Sequence, residues 1–397
     1  MRKTFLVGVG MTSFGKFASL GLGELGADAG LQALRDAGVS PRDIEMVACG
    51  CARSGTLQAR ESGVGQLIGW HLGIEGVPVY NEKAFCASGA MAFNLANMAV
   101  ASGAHDVALV VGVERMSGRG GKGRPLLSDG MAFESELGFA PPAYYAMAAR
   151  RHMETYGTTR EQIATVAVKN RKAAALNPKA QYRTPITLDD VMGARHVAGP
   201  LGLLDCCPTG DGAAAAIIVS EDAASRLGLT PVVEVVASVV GSGYYADQLR
   251  DMTSFGLDRA TATRAYEQSG IAPKDVDVAE VHDSFSIAEL IHYEDLGFCQ
   301  PGHAGRLVES GETALGGSRP VNTGGGLLNR GHPLGATGVA QIVELYDQLR
   351  GRAGERQVDG ARVGLAHISG GFHEGDFATS GVTILQTRQG ALHVSRR

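Results

Sequence analysis

The chain is 397 residues long, which is enough for two or three domains with large hydrophobic cores. Hydrophobic residues make up 44% of it and charged residues 19%, as in soluble globular proteins, and the net charge of −5 argues against a nucleic-acid-binding protein. Apolar runs such as 107–113 and 213–219 are too short to span a bilayer, so we expect no membrane span. Six cysteines in a chain of this size form no disulfide framework, and we expect a cytoplasmic protein.

The first 15 residues predict a β-strand. They begin with basic residues and an apolar stretch, but Gly8 and Gly10 interrupt that stretch, so a signal peptide is not expected. The same two glycines resemble the start of a dinucleotide-binding turn. However, Ser13 stands where the third glycine would be, and no acidic partner for a ribose follows about 20 residues later. A Rossmann-type dinucleotide site is therefore not expected.

Cys86 lies in the segment AFCASGAMAFNLANMAVASG, residues 84–103, where small residues precede a helix-like run. This arrangement predicts that Cys86 sits at a helix N-terminus. The positive end of a helix dipole favours the thiolate and lowers the pKa of a thiol. A buried structural cysteine is the alternative. Against it, the segments 281–290, 331–338 and 366–375 each supply a histidine or a glycine turn that a nucleophilic cysteine needs.

The two halves of the chain share three similar segments in the same order. The paired segments are 36–50 with 268–282, 87–92 with 336–341, and 106–112 with 362–368. In the first pair, Gly38, Pro41 and Asp43 recur as Gly270, Pro273 and Asp275. Each half is predicted to run strand, helix, strand, helix, strand, with buried apolar strands and Ala-rich helices. The pattern predicts a duplicated α/β fold of stacked helix and sheet layers, divided into residues 1–230 and 231–397.

Residues 117–200 depart from this pattern and predict an inserted loop domain over the active site, where substrates are selected. The segment begins with the glycine-rich basic run SGRGGKGR and continues with prolines, aromatics and two helices. Thr159 and Gln162 resemble a capping box and predict the start of the second helix. The basic run lacks the Walker spacing of a phosphate-binding loop, so we favour a solvated mobile loop.

Five segments together resemble the thiolase superfamily, and the resemblance covers essentially the whole chain. They are the Cys86 segment, DCCPTGDGAAAAIIVS at 205–220, VHDSFSIAELIHYEDLGF at 281–298, NTGGGLLNRGHPLGATG at 322–338 and AHISGG at 366–371. The HDSF sequence is similar to the sterol-carrier-protein-type and archaeal-type thiolases. The resemblance implies a five-layered αβαβα fold, a dimer, and acyl transfer from coenzyme A through a cysteine thioester, as in acetyl-CoA acetyltransferases. Acyl-CoA is then the substrate, and neither a tightly bound cofactor nor a metal is expected.

The chemistry next to a thioester needs a nucleophile that carries the acyl group, a base, and hydrogen-bond donors for two oxyanions. Cys86 fits the nucleophile, and His332 in the GHP turn fits the base that takes the thiol proton. The resemblance gives His282 the role of holding a water molecule or the thioester carbonyl oxygen. The backbone N–H groups of Cys86 and Gly371 are expected to form the other oxyanion hole, since glycine lets the main chain approach closely. For any single histidine, a hydrogen-bonded structural role is the alternative.

Thiolases often carry a second catalytic cysteine, and this sequence lacks it at both usual positions. The Cys-x-Gly position reads His367, and the HDCF position reads Ser284. An imidazole titrates near the working pH, so we expect His367 to serve the carbon–carbon step, with His373 as a weaker candidate. Cys299 is expected to be structural. The absence of the second thiol argues against thiolysis more than against acyl transfer in general.

Two other functions remain open from the sequence. One is a thiolase-fold aldolase or lyase that works with a small acyl-CoA-binding protein, and the other is a non-catalytic acyl-CoA-binding subunit. The presence of Cys86, His282 and His332 favours the acyltransferase. The resemblance also implies a homodimer, or a tetramer built from it, and a zinc-ribbon, OB-fold accessory protein as a partner.

Overall fold

A computed structural model of the chain describes residues 2–55, 62–117, 140–244, 251–373 and 376–388. Its strands are β1 Thr4–Met11, β2 Met46–Gly50, β3 Val79–Glu82, β4 Val107–Arg115, β5 His196–Ala198, β6 Leu201–Gly202, β7 Asp211–Ser220, β8 Val233–Ser242, β9 Val278–Glu280, β10 Val363–His373 and β11 Asp376–Thr387. Its helices are α1 Leu22–Ala37, α2 Val64–Leu72, α3 Ser88–Ser102, α4 Pro141–Tyr156, α5 Arg160–Ala175, α6 Leu188–Met192, α7 Glu221–Arg226, α8 Gly256–Ser269, α9 Ser286–Asp295, α10 Ala304–Glu309 and α11 Leu334–Leu349. Strand β1 confirms the strand predicted at the start of the chain.

Nine of the described strands form one sheet in the order β3-β2-β4-β7-β1-β8-β11-β10-β9. The two halves of this sheet meet where β1 and β8 pair, at two residue pairs only. Counted outward from that junction, β1, β7, β4 and β2 correspond to β8, β11, β10 and β9. The first three strands of each series are antiparallel, and the fourth is parallel to the third. The predicted duplicated α/β fold is therefore confirmed.

The repeated sequence segments form the same local structure in both halves. Gly38 ends α1 with a φ of 68°, and Gly270 ends α8 with a φ of 69°. Glycine adopts this left-handed conformation without strain. A short 3₁₀ turn follows each glycine, Pro41–Asp43 before β2 and Pro273–Asp275 before β9. In each turn the aspartate side chain accepts a hydrogen bond from a backbone N–H three residues earlier, at 2.9 and 3.2 Å.

Both faces of the sheet are covered, which gives five layers. Successive strand residues point to opposite faces, and in β4 Val110 packs on the central helices α3 and α11 while Leu109 packs toward the outer helices α1 and α2. In β10, Ala366 joins the same central core, and Leu365 packs toward α8 and α9 on the other outer side. Each half of the nine-stranded sheet thus lies between the central helix layer and one outer helix layer.

The predicted insertion at 117–200 lies over the C-terminal half. In its described part, α5 packs against α9, α10 and the turn at 326–330. Residues 118–124 of the glycine-rich basic run lie outside the described residues. The predicted boundary after residue 230 falls between α7 and β8, and it stays a prediction.

By length and composition alone, one stretch of the described residues, Phe85–Ser102, could cross a membrane. It contains α3, which packs against α11 in the central layer. A core helix of this kind meets the same criteria, so the stretch is weak support for a membrane span.

Candidate active site

Cys86 lies in a tight turn directly before α3. The turn covers Phe85–Ala87, and the helix begins at Ser88. The Ser88 hydroxyl accepts a hydrogen bond from the backbone N–H of Ala84 at 2.9 Å and donates one to the carbonyl of Phe85 at 2.7 Å. Phe85 has a φ of 52°, a conformation that non-glycine residues rarely adopt outside functional sites and tight turns. The turn holds Cys86 at the start of a helix, as the sequence predicts.

Two glycines of β10 let this strand pack directly on the Cys86 turn. A Cβ atom at Gly370 would lie 2.7 Å from the carbonyl oxygen of Ala84, and one at Gly371 would lie 2.5 Å from the ring of Phe85. The backbone N–H groups of Cys86 and Gly371 both hydrogen-bond toward the Cys86 sulfur. Their role as an oxyanion hole stays a prediction, and their common direction supports it.

The pKa of the Cys86 thiol is raised to about 12, chiefly because burial disfavours the thiolate and secondly because the Glu114 carboxylate lies nearby. The two N–H groups and Arg53 act in the opposite direction without offsetting this. The expectation that the helix N-terminus lowers the pKa of this thiol is therefore corrected, since burial and Glu114 raise that pKa. Cys86 is a neutral thiol near pH 7 and needs a base to become a nucleophile.

His332 has the hydrogen bonding of such a base. Its Nδ1 lies 2.8 Å from the hydroxyl oxygen of Thr337, and that hydroxyl donates its own proton to the carbonyl of Pro333 at 2.9 Å. Nδ1 must therefore carry the imidazole proton, which leaves the lone pair on Nε2. Nε2 is buried and has no hydrogen-bond partner among the described residues. Burial, together with the charge of Arg330, lowers the pKa of His332 to about 3, so the ring is neutral.

His282 lies next to Cys86 and His332, and these three residues are called the Cys86 group. One donor atom from each of Cys86, His282 and His332 lies within 4.8 Å of the other two. The two imidazole rings are nearly perpendicular, with centroids 5.5 Å apart. Burial lowers the pKa of His282 well below its usual value, and the neighbouring imidazoles of His332 and His367 lower it further. The structure thus brings together three residues that are far apart in the sequence.

Asp283, the neighbour of His282, supports the loop that carries His332. Its carboxylate accepts hydrogen bonds from the backbone N–H groups of Leu327 at 2.6 Å and Leu328 at 3.3 Å. The Asn170 side chain donates to the same carboxylate at 2.7 Å. Nothing in the sequence around Asp283 indicates this role, because its partners in the loop become adjacent only in the fold.

We expect Gly326→Ala to displace this loop. Gly326 has a φ of 60°, and a Cβ atom there would lie 2.1 Å from the Asp283 carboxylate. The clash and the left-handed backbone should together lower the free energy of unfolding by about 1–3 kcal/mol and slow acylation. Gly351→Ala is the matched control, since its φ is 68° and no atom lies within 4 Å of the added Cβ. Urea unfolding compares the two variants, and equal losses would show that the Asp283 contact is unimportant.

His367 belongs to a second group of buried side chains, with Asp258 and His292, next to the Cys86 group. Its Nε2 lies 3.1 Å from Oδ1 of Asp258, and both side chains are fully buried. The His292 ring packs on it at 4.4 Å between centroids, and the Ser369 hydroxyl donates to Asp258 at 2.8 Å. His367 does not line the cavity at Cys86. Its role in the carbon–carbon step stays a prediction, and this position counts against it. The side chain of His373, the weaker candidate, lies outside what the structure describes.

A cavity of about 710 Å³ opens at Cys86. Much of its wall is aromatic, with Tyr145 from α4 stacked on Phe285 at 4.4 Å between ring centroids. Cys207 and Ser284 also line it, whereas Cys299 does not. Neither Tyr145 nor Cys207 is a site residue predicted from the sequence. The adjacent pair of cysteines in DCCPTGDG was a signal, but nothing local connected it to Cys86.

Two groups of described residues have donors close enough to hold a metal ion. One is Cys86 with His282 and His332, and the other is Asp258 with His292 and His367. In the first group the acid–base chemistry requires the thiol and the Nε2 lone pair of His332 to be free. The expectation that the site works without a metal stays a prediction.

The rate of Cys86 acylation should be level from pH 5 to pH 8. The lowered pKa of His332, about 3, keeps the base neutral over this range, and the raised pKa of Cys86, about 12, keeps the thiol protonated. An ordinary histidine would lose its base form as the pH falls through about 6.5. Rapid-quench measurement of acyl-enzyme formation tests this, with circular dichroism checking that the fold persists. A decline centred near pH 6.5 would contradict it.

A thiol beside a neutral imidazole, with two backbone N–H groups directed at the sulfur, supplies the components that acyl transfer requires. These components lie on a duplicated, five-layered α/β fold. Residues 4–222 match the family model described as thiolase, N-terminal domain, and residues 240–387 match the one described as thiolase C-terminal domain-like. The chain belongs to the thiolase family and is a thiolase-type acyltransferase.

Curated relatives agree with this placement. The chain is 42% identical to an acetyl-CoA acetyltransferase of Methanothermobacter thermautotrophicus over 94% of its own length and 97% of the relative. It is 36% identical to the benzoylsuccinyl-CoA thiolase subunit BbsB of Thauera aromatica, covering 93% and 95% of the two chains. It is similar to a solved structure titled Ltp2-ChsH2(DUF35) aldolase, with a TM-score of 0.81, 29% identity and 98% coverage of both chains.

Proposed function

We propose that the protein forms or cleaves a carbon–carbon bond next to a CoA thioester, through an acyl group carried on Cys86. The observation that supports this most is the grouping of Cys86, His282 and His332 within 4.8 Å at the wall of one cavity. The thiol is positioned by a turn that the Ser88 hydroxyl holds with two hydrogen bonds, and the base is held in one tautomer by Thr337. An acyl-CoA is the substrate, in line with the family.

The first half of the reaction follows from the hydrogen bonds. His332 Nε2 takes the proton of the Cys86 thiol, and the thiolate attacks the thioester carbonyl. The backbone N–H groups of Cys86 and Gly371 stabilise the oxyanion that forms. The C–S bond to CoA then breaks, and the protonated His332 returns its proton to the departing CoA thiolate. His282 is left to donate a hydrogen bond to the carbonyl of the second substrate.

The direct test is acyl-enzyme formation. The protein is mixed with acetyl-CoA, octanoyl-CoA or benzoyl-CoA, and intact mass and released CoA are measured after quenching in acid. We expect a gain of one acyl group, located by peptide mapping on Cys86, with an equal amount of CoA released. If no acyl-CoA of the panel adds a mass to the protein, the proposal fails.

An aldolase is the second candidate, because the similar solved structure bears that title. An aldolase breaks the carbon–carbon bond of a hydroxyacyl-CoA without an acyl-enzyme. The presence of Cys86 with its base favours the acyltransferase. Cleavage of a 3-hydroxyacyl-CoA that persists in Cys86→Ala would instead support the aldolase.

We also propose a homodimer, with a tetramer as a further stage of assembly, in a reducing cytoplasm. Among the described strands, β3 is at the edge of the large sheet and pairs only with β2, and Tyr80 on it is 43% exposed, so its outer edge can join a second copy. All six cysteines are free thiols, which suits a reducing compartment. Multi-angle light scattering at micromolar concentration should give at least twice the chain mass, and a stable monomer would contradict the dimer.

The family resemblance also suggests a zinc-ribbon, OB-fold accessory protein as a partner, and co-purification from the native host tests for it.

A further inference from the structure

The proposed function leaves one chemical task without a residue. Carbon–carbon bond formation or cleavage next to a thioester requires a group that exchanges a proton with the substrate α-carbon. The sequence offers no second thiol at the two usual positions, where His367 and Ser284 stand. His367 is buried against Asp258 and does not line the cavity.

We propose that the Cys207 thiol exchanges this proton and is a further catalytic residue, an inference that rests on the proposed function. Cys207 lines the same cavity as Cys86, His282 and His332. It enters the site from the loop between β6 and β7, and no local sequence signal connects that loop with the nucleophile.

The backbone fixes Cys207 beside the segment that carries His282. The backbone N–H of Cys207 donates to the carbonyl of Ser284 at 2.9 Å, and Cys206 forms an antiparallel bridge with Phe285. The two short segments therefore run side by side at the cavity wall. Cys207 stands directly across from Ser284, which also lines the cavity.

Two further observations place a reacting group near Cys207. Cys207 and Cys86 line the same cavity, and after burial the electrostatic effect of Cys86 is the next largest cause that raises the pKa of the Cys207 thiol. His332 is 4% exposed, and its Nε2 at the wall of the same cavity has no partner among the described residues. A substrate that meets His332 and Cys86 therefore also comes near Cys207.

Other titratable or hydroxyl groups of the described cavity wall are less suited. Cys206 directs its thiol to the carbonyl of Gly202 at 3.3 Å. Burial raises the pKa of the Tyr145 phenol well above its usual value, which already lies above that of a thiol. Ser284 carries an alcohol, which is a much weaker acid than a thiol and would need a base of its own.

In the cleavage direction, the Cys207 thiol supplies the proton that C2 of the substrate takes up. The Cys86 thiolate attacks the 3-keto carbon of a 3-oxoacyl-CoA, the bond between C2 and C3 breaks, and its electron pair stays on C2. Cys207–SH gives its proton to C2, which releases acetyl-CoA or its homologue and leaves a Cys207 thiolate. That thiolate takes the proton of the incoming CoA thiol, and the CoA thiolate removes the acyl group from Cys86. Burial favours the protonated form of Cys207, the form with which this sequence begins.

The test separates proton exchange from acylation. The wild-type protein should exchange the α-hydrogens of acetyl-CoA in D₂O, followed by NMR, and Cys207→Ala should exchange them about 10²-fold or more slowly. The same variant should still acquire an acyl group on Cys86 at a near-normal rate. Cys299→Ala is the control, because Cys299 does not line the cavity and both reactions should be unchanged.

A rescue distinguishes catalysis from packing. Because Ser284 lies directly across from Cys207, the double variant Cys207→Ala/Ser284→Cys returns a thiol to the same wall and should recover part of the exchange. If Cys207→Ala folds poorly, Cys207→Ser keeps nearly the same volume and should lose exchange to a similar extent.

Four outcomes are decisive. Normal exchange in Cys207→Ala, or joint loss of exchange and acylation in a folded Cys207→Ser, would overturn the role of Cys207. Normal acylation with lost exchange, restored by the thiol at position 284, would establish it. If the wild-type protein is not acylated at all, the proposed function itself fails, and the role of Cys207 fails with it.

Discussion

Cys86→Ala should abolish acyl-enzyme formation while the fold persists. Removal of the nucleophile in enzymes with covalent intermediates lowers turnover by about 10⁴-fold or more, because the remaining groups cannot hold the acyl group. The change removes a single sulfur atom at a half-buried position, so the free energy of unfolding should change by less than about 1.5 kcal/mol. Intact mass after mixing with acyl-CoA and urea unfolding measure the two effects.

Selective alkylation provides the complementary measurement on the wild-type protein. Iodoacetamide should label Cys86 faster than the other five cysteines, since Cys49 and Cys51 are buried and Cys86 has a base within reach. Cys299→Ala serves as the matched variant and should retain full acylation. Equal labelling of all six thiols in the folded protein, or an acyl group on Cys86→Ala, would contradict the assignment.

His332→Ala should slow acylation of Cys86 by about 10²- to 10⁴-fold, the usual contribution of a general base. The reason is the pKa of the Cys86 thiol, raised to about 12, which leaves almost no thiolate at neutral pH unless a neighbour takes the proton. The alanine variant should also lose the rapid iodoacetamide labelling of Cys86. Stopped-flow release of CoA and timed labelling measure both rates.

Thr337→Val tests whether orientation of His332 matters in addition to its presence. Valine has a similar shape but cannot accept the Nδ1–H hydrogen bond, which measures 2.8 Å in the structure. We expect an intermediate loss in the acylation rate, about tenfold, because the tautomer and ring orientation of His332 are no longer fixed.

Unchanged labelling of Cys86 in His332→Ala, together with lost turnover, would show that His332 only stabilises an oxyanion.

Much of the fold was predictable because its signals are local. The recurrence of Gly38, Pro41 and Asp43 as Gly270, Pro273 and Asp275 predicted the duplication. Two features depend only on a few neighbouring residues: the end of a helix at a left-handed glycine, and a turn closed by an aspartate. The same residues therefore form the same structure in both halves. The helix start at Cys86 was predictable for the same reason.

The tertiary structure alone decided the ionisation of the site. From the sequence, the helix dipole was expected to lower the pKa of Cys86. In the fold, burial and the Glu114 carboxylate raise it. Glu114 belongs to strand β4, and the burial of Cys86 depends on every element packed around its turn. Neither effect can therefore be predicted from the residues next to Cys86 in the sequence.

The sequence by itself determined the family, the duplicated fold and the residues Cys86, His282 and His332 as candidates. Only the tertiary structure decided that His367 is buried with Asp258 and that Cys207 lines the cavity. The reason is that adjacency along the chain does not fix which wall of a cavity a side chain joins. The bridge between the Cys206 and Phe285 segments, which are far apart in the sequence, is made by backbone hydrogen bonds that form only when the two halves pack together.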